Sequence, residues 1–203
     1  MDLLLPIAVA LAAAWMLKGS QQRARISLLA QFLSRYRIEK NMETVTQGYL
    51  RALGEPDPVR QEQVWGVLAA CEQELCAHVT RLAADFAAAD AKLARVSKLP
   101  MWAPFATSLL PSFDMREALA IHARGIRRAI ESSAPASARD RAFTISAELL
   151  LLQHTCHWFC KSRLVASARM LSRHRTSYDQ LVAAVQPQTR ADYLALVGPG
   201  TPA

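Results

Sequence analysis

Residues 58–96 read PVRQEQVWGVLAACEQELCAHVTRLAADFAAADAKLARV. Within them Val64, Leu68, Cys71, Leu75, His78, Leu82, Phe86, Ala89, Leu93 and Val96 recur at spacings of 4, 3, 4, 3, 4, 4, 3, 4 and 3. Alternating threes and fours put these side chains on one side of an α-helix, nearly as a heptad ladder. Asp57 followed by Pro58 supplies an N-cap and a first-turn proline. The spacing predicts one long helix, which must lie along a comparably long partner.

A partner of that length begins at Ser137, where Ser137-Ala-Arg-Asp140 resembles a capping box. From there a stripe of Ala142, Ile145, Leu149, Leu152, Cys156, Cys160, Leu164, Ser167, Leu171, Tyr178, Leu181 and Val185 predicts a helix running to about Gln186. Between the two, residues 114–130 carry Met115, Leu119, His122 and Ile126 on one face, and a short terminal turn follows Pro187. No stretch alternates with a period of two. The expected fold class is all-α: an elongated antiparallel helical bundle over 57–197, with a tail at 198–203.

Upstream, Leu3 to Leu17 contains no charged side chain, and Trp15 and Lys18 stand at its far end. An indole and a lysine suit a membrane–water boundary. Only Asp2 precedes the run, whereas a cleavable signal peptide needs a basic leader. Residues 1–18 are therefore expected to form a single transmembrane helix. Lys18, Arg23, Arg25, Arg35, Arg37 and Lys40 follow it against Glu39 alone, which predicts a cytoplasmic body at the inner (plasma) membrane. Ala8/Ala12 and Ala10/Ala14 are small-residue pairs of the kind that let two anchors pack as a homo-oligomer, although an Ala-rich span contains such pairs by chance as well. Residues 19–56 read as a juxtamembrane helical segment with a bend near Arg37 to Asn41, a fresh start at Thr44 and a stop at Gly54.

The stretch 98–113 is unusual. From Leu99 to Phe113 it has no charge and carries Pro100, Pro104 and Pro111 among Trp102, Phe105, Leu109 and Leu110. Such a loop either caps the bundle end or dips into the lipid interface through those four apolar residues.

Composition excludes several classes. The 203 residues are 52% hydrophobic and 20% charged, too apolar for a disordered polymer. With 7 Gly and 4 Cys, neither a collagen repeat nor a disulfide scaffold is available. The net charge of +7 is uneven: residues 1–113 hold 12 basic against 10 acidic side chains, and residues 114–203 hold 12 against 7. Phosphate loops, dinucleotide fingerprints, serine elbows and His-Glu-x-x-His pairs are all missing, and carboxylates are scattered. The sequence points away from an enzyme and toward no resident cofactor.

One cluster invites a metal or haem reading: His154-Thr-Cys156-His157-Trp-Phe-Cys160-Lys161. On a helix Cys156 and Cys160, or His157 and Cys160, share a side, and Cys71 and His78 on the facing seam would complete the ligand set. The competing reading is that the cysteines are small hydrophobes in a packed core, with His78 fixing register through one hydrogen bond. The second clue is a basic face formed by Lys161, Arg163, Arg169, Arg173 and Arg175, suited to anionic lipid or an acidic protein partner. Without interleaved aromatic platforms it fits nucleic acid poorly. The leading expectation is a non-catalytic, membrane-tethered scaffold or adaptor for a protein partner or the bilayer. A metal- or haem-binding bundle and a peripheral lipid-handling protein are the alternatives.

Overall fold

Asp57, Asp114, Ser137, Ser162 and Ser177 each accept a hydrogen bond from a backbone N–H two or three residues on, and a helix starts behind each. A computed structural model of the chain describes residues 4–103, 106–132 and 137–198. Its helices are α1 (Leu4–Leu33), α2 (Ile38–Gly54), α3 (Pro58–Phe86), α4 (Ala106–Leu109), α5 (Met115–Glu131), α6 (Ala138–Cys160), α7 (Arg163–His174), α8 (Tyr178–Ala184) and α9 (Pro187–Val197). Strands β1 (Arg95–Ser97) and β2 (Ser112–Asp114) pair antiparallel, with Val96 opposite Phe113. The chain is predominantly helical and packs as a bundle, as the periodicity implied. Strands of three residues are too short to leave an alternating pattern in the sequence.

The expected long helix over 58–96 stops at Phe86. Asp90 Oδ1 accepts from the backbone N–H groups of Lys92 and Leu93, both at 2.9 Å, and turns the chain toward β1. Ala89 and Val96 remain buried through this turn and strand, while Leu93 is exposed. The second long helix also breaks. Lys161 leaves helical geometry, Ser162 caps α7, Arg175 takes a left-handed φ of 54°, and Ser177 with Gln180 forms a reciprocal capping box for α8. The bend after α1 falls at residues 34–37, and Thr44 lies inside α2 rather than at a start.

These breaks change the packing. Instead of two long arms lying on each other, α2, α3, α5 and α6 pack in succession. Arg127 reaches back to Thr80 and Ile130 O accepts from Arg141, so α3/α5 and α5/α6 each run antiparallel. The aromatic core lies where α1, α3, α6 and the strands converge: Phe32 on Phe86 at 5.1 Å, Phe86 on Phe159 at 6.1 Å, and Phe113 on Trp158 at 5.0 Å.

The transmembrane expectation for residues 1–18 needs correction. Residues 1–3 lie outside the described residues, and among those described no helix is long and apolar enough to cross a membrane. The uncharged part of α1 ends at Leu17 and rises roughly 21 Å, against a hydrocarbon core of roughly 30 Å. The helix then continues without interruption through Lys18, Arg23 and Arg25 into the body.

Candidate functional site

The described part of the apolar run, from Leu4 on, forms an arm. Residues 5–13 are all solvent-exposed, with Leu5 at 72% and Leu11 at 67%, and Trp15 farther along is 76% exposed. Its root is fastened by polar side chains. Trp102 Nε1 donates to Gln21 Oε1 at 3.1 Å, Lys161 Nζ donates to Gln22 Oε1 at 3.2 Å, and the Lys18 ammonium sits 6.0 Å from the centre of the Trp102 ring. Arg25 donates to the carbonyls of Arg95 at 2.7 Å and Phe159 at 3.4 Å. Arm, proline-rich loop and the α6/α7 junction therefore meet at one end of the body.

The loop divides between the two roles expected of it. Ala106 and Phe113 are buried, Phe113 against Trp158. Trp102 is half-buried at the arm's root, whereas Met101, Leu109 and Leu110 face solvent, Leu109 at 78%. Phe105 lies outside the described residues. Leu164 N donates to Pro100 O at 2.9 Å, which brings the first turn of α7 beside this exposed edge.

The five basic residues assigned to one face have different environments. Lys161 is engaged with Gln22, and the Arg163 guanidinium stacks 5.6 Å from Trp158 and 4.8 Å from Tyr178. Arg169, Arg173 and Arg175 are exposed. Leu164 and Leu171, expected on the apolar stripe, are exposed beside them, while Ala166 and Met170 are buried. The break at Lys161–Ser162 rotates α7 out of register with α6, so apolar and cationic side chains share its outer face.

A groove of about 590 Å³ opens between α1, the start of α2 and α6. Leu29, Leu33, Leu82, Leu152, Cys156 and Cys160 supply apolar walls, and Arg37, Glu39 and Lys40 stand along one end. Burial pushes the Cys156 thiol up to about 12 and the Cys160 thiol up to about 11, so both are neutral and line the groove as small hydrophobes. His157 also lines it; burial and then the charges of Arg169 and Arg173 lower its pKa, favouring the neutral ring.

The proposed metal ligands are thus divided. Cys156, His157 and Cys160 share the groove, but Cys71 and His78 do not line it. His78 Nδ1 pairs with the Asn41 amide at 3.3 Å, a bond between α2 and α3 of the register-fixing kind. Among the described residues, no group of three or more His, Cys, Asp or Glu side chains is gathered to hold a metal ion.

Sequence reasoning missed two buried polar clusters. Tyr49, Glu72 and Arg141 join α2, α3 and α6, and His122, Thr155 and Tyr193 join α5, α6 and α9. A lone acid amid apolar neighbours, as at Glu148 in Ala147-Glu148-Leu149-Leu150, was the available signal for a third site of this kind. No family model, curated protein or solved structure matches this chain.

Proposed function

We propose that this chain is a non-catalytic, membrane-tethered helical scaffold held to the bilayer by its apolar arm. The observation that carries this reading is the exposure of Leu5, Val9, Leu11, Trp15 and Met16 on a helix that continues without a break into the body. A helix apolar on all sides is stable when surrounded by core or lipid, and residues 5–13 are all exposed. The arm inserts into the bilayer short of a full span. Lys18 and Arg23 at its root support attraction to anionic headgroups, and the basic excess beyond it supports a body at the cytoplasmic leaflet of the inner membrane. Met101, Leu109, Leu110 and the outer face of α7 lie at the same end and add apolar and cationic contacts.

The other end of the body suits a protein partner. Phe86 and Phe159 meet near the arm's root, whereas Glu72 meets Arg141 at the start of α6, so the α2–α3 turn projects beyond that far end. Leu50, Val59 and Val67 are exposed there. Vesicle flotation tests the tether. The full chain is expected to float with vesicles containing phosphatidylglycerol. A variant with Leu5, Val9 and Leu11 changed to Gln is expected to stay at the bottom of the gradient with unchanged helix content. Equal flotation of the two proteins would overturn the reading.

A further inference from the structure

The groove between α1, α2 and α6 has the features of a site for a single-chain amphiphile. We propose that it binds one long-chain fatty acid, the hydrocarbon chain lying along Leu29, Leu152, Cys156 and Cys160 and the carboxylate reaching Arg37 and Lys40. Its volume, about 590 Å³, lies within the ordinary range of small-molecule sites, roughly 300–1,000 Å³.

Length supports this occupant. The eight-residue step from Leu152 to Cys160 along α6 rises roughly 12 Å, and that from Ile26 to Leu33 along α1 roughly 10 Å before the bend carries the chain on to Arg37. One acyl chain spans about half of a ~30 Å bilayer core, or roughly 15 Å. Polarity supports it as well. The walls are mostly aliphatic side chains and neutral thiols, with Gln153 and His157 among them, whereas the charged lining residues, Arg37, Glu39 and Lys40, all lie where α1 passes into α2. There Arg37 and Lys40 outnumber Glu39. An apolar trough with cations at one end complements a monoanion with a long tail, and fits an uncharged alkane or a cationic detergent less well. The site is independent of the tether, because none of the residues 4–17 lines it.

The test uses the full chain in a nonionic detergent, with palmitate carrying a chain diazirine as the probe and the matching uncharged alcohol as its control. Photolabelling is expected at one probe per chain, in peptides spanning residues 26–34 and 152–160. Ala30 lines the groove from the exposed side of α1, so Ala30→Trp obstructs it without entering the core. That variant is expected to lose labelling by both probes while its melting and vesicle flotation match wild type. Reversing the exposed charges, Arg37→Glu with Lys40→Glu, is expected to weaken the acid about tenfold and leave the alcohol unchanged. Undiminished labelling of Ala30→Trp, labelling confined to the arm, or indifference of the acid to charge reversal would each overturn the proposal.

Discussion

The Tyr49 hydroxyl donates to Glu72 Oε1 at 2.7 Å, tying α2 to α3 inside the core, while Arg141 of α6 binds the other carboxylate oxygen. Glu72 is 1% exposed, so its carboxylate oxygens are satisfied by these partners rather than by water. Tyr49→Phe is expected to cost about 1.5–3 kcal/mol, the usual scale for a hydrogen bond to a charged group. Glu72→Ala, which also strands Arg141, is expected to cost about 3 kcal/mol. Urea unfolding measures both, and a Glu72→Ala variant as stable as wild type would show the cluster to be dispensable.

Glu148 sets one arm of the pH dependence. Burial raises its carboxyl from 4.5 to about 7, although Oε1 accepts from Gln186 N at 3.0 Å. The folded chain then holds this proton more tightly than the unfolded chain. Its stabilising contribution is complete below 4.5 and is lost as pH rises to about 7, a change of about 3 kcal/mol. Glu148→Gln is expected to be more stable than wild type at about pH 8, with the difference vanishing below about pH 5. Melting temperatures across that range check it.

His154 sets the opposite arm. Burial first, and then the charge of Arg163, lower it from 6.5 to about 4, and its Nε2 pairs with Ser167 Oγ at 3.1 Å. The unfolded chain binds this proton more readily, so stability present above 6.5 is lost as pH falls toward 4. His154→Phe is expected to be about 1 kcal/mol less stable than wild type at neutral pH, having lost the hydrogen bond. It is expected to be the more stable of the two at about pH 4.5. Parallel denaturant titrations at the two pH values give the comparison.

Gly125 lets α5 approach α6 and α9. A Cβ there would meet Thr189 Oγ1 and Glu148 Oε2 within the packed interior. Gly125→Ala is expected to destabilise by about 1–3 kcal/mol through overpacking, despite alanine's better helix propensity. Hydrogen exchange would locate the loosening at α9, and unchanged protection there would contradict this packing.

The sequence made the helices legible but not their ends. Asp57, Ser137 and Gly54 marked boundaries because their signals are local. Phe86 and Lys161 did not, because the apolar spacing continues past both, and a turn or strand can bury Ala89 and Val96 as well as a helix can. The same limit sent Leu164 and Leu171 to the wrong side of α7. Cys156, His157 and Cys160 form one cluster by their spacing alone. Their common groove depends on Leu29 and Arg37, more than a hundred residues away, and local periodicity carries no information about that approach.

Trp15 offers the most direct measurement on the membrane tether. The full chain is reconstituted with vesicles whose lipids carry bromine at defined acyl positions, and fluorescence quenching of wild type is compared with Trp15→Phe. Wild type is expected to be quenched appreciably more, with bromines near the headgroups most effective, because Trp15 sits at the root of an inserted arm beside Lys18. Equal quenching of the two proteins at every bromine depth would contradict it.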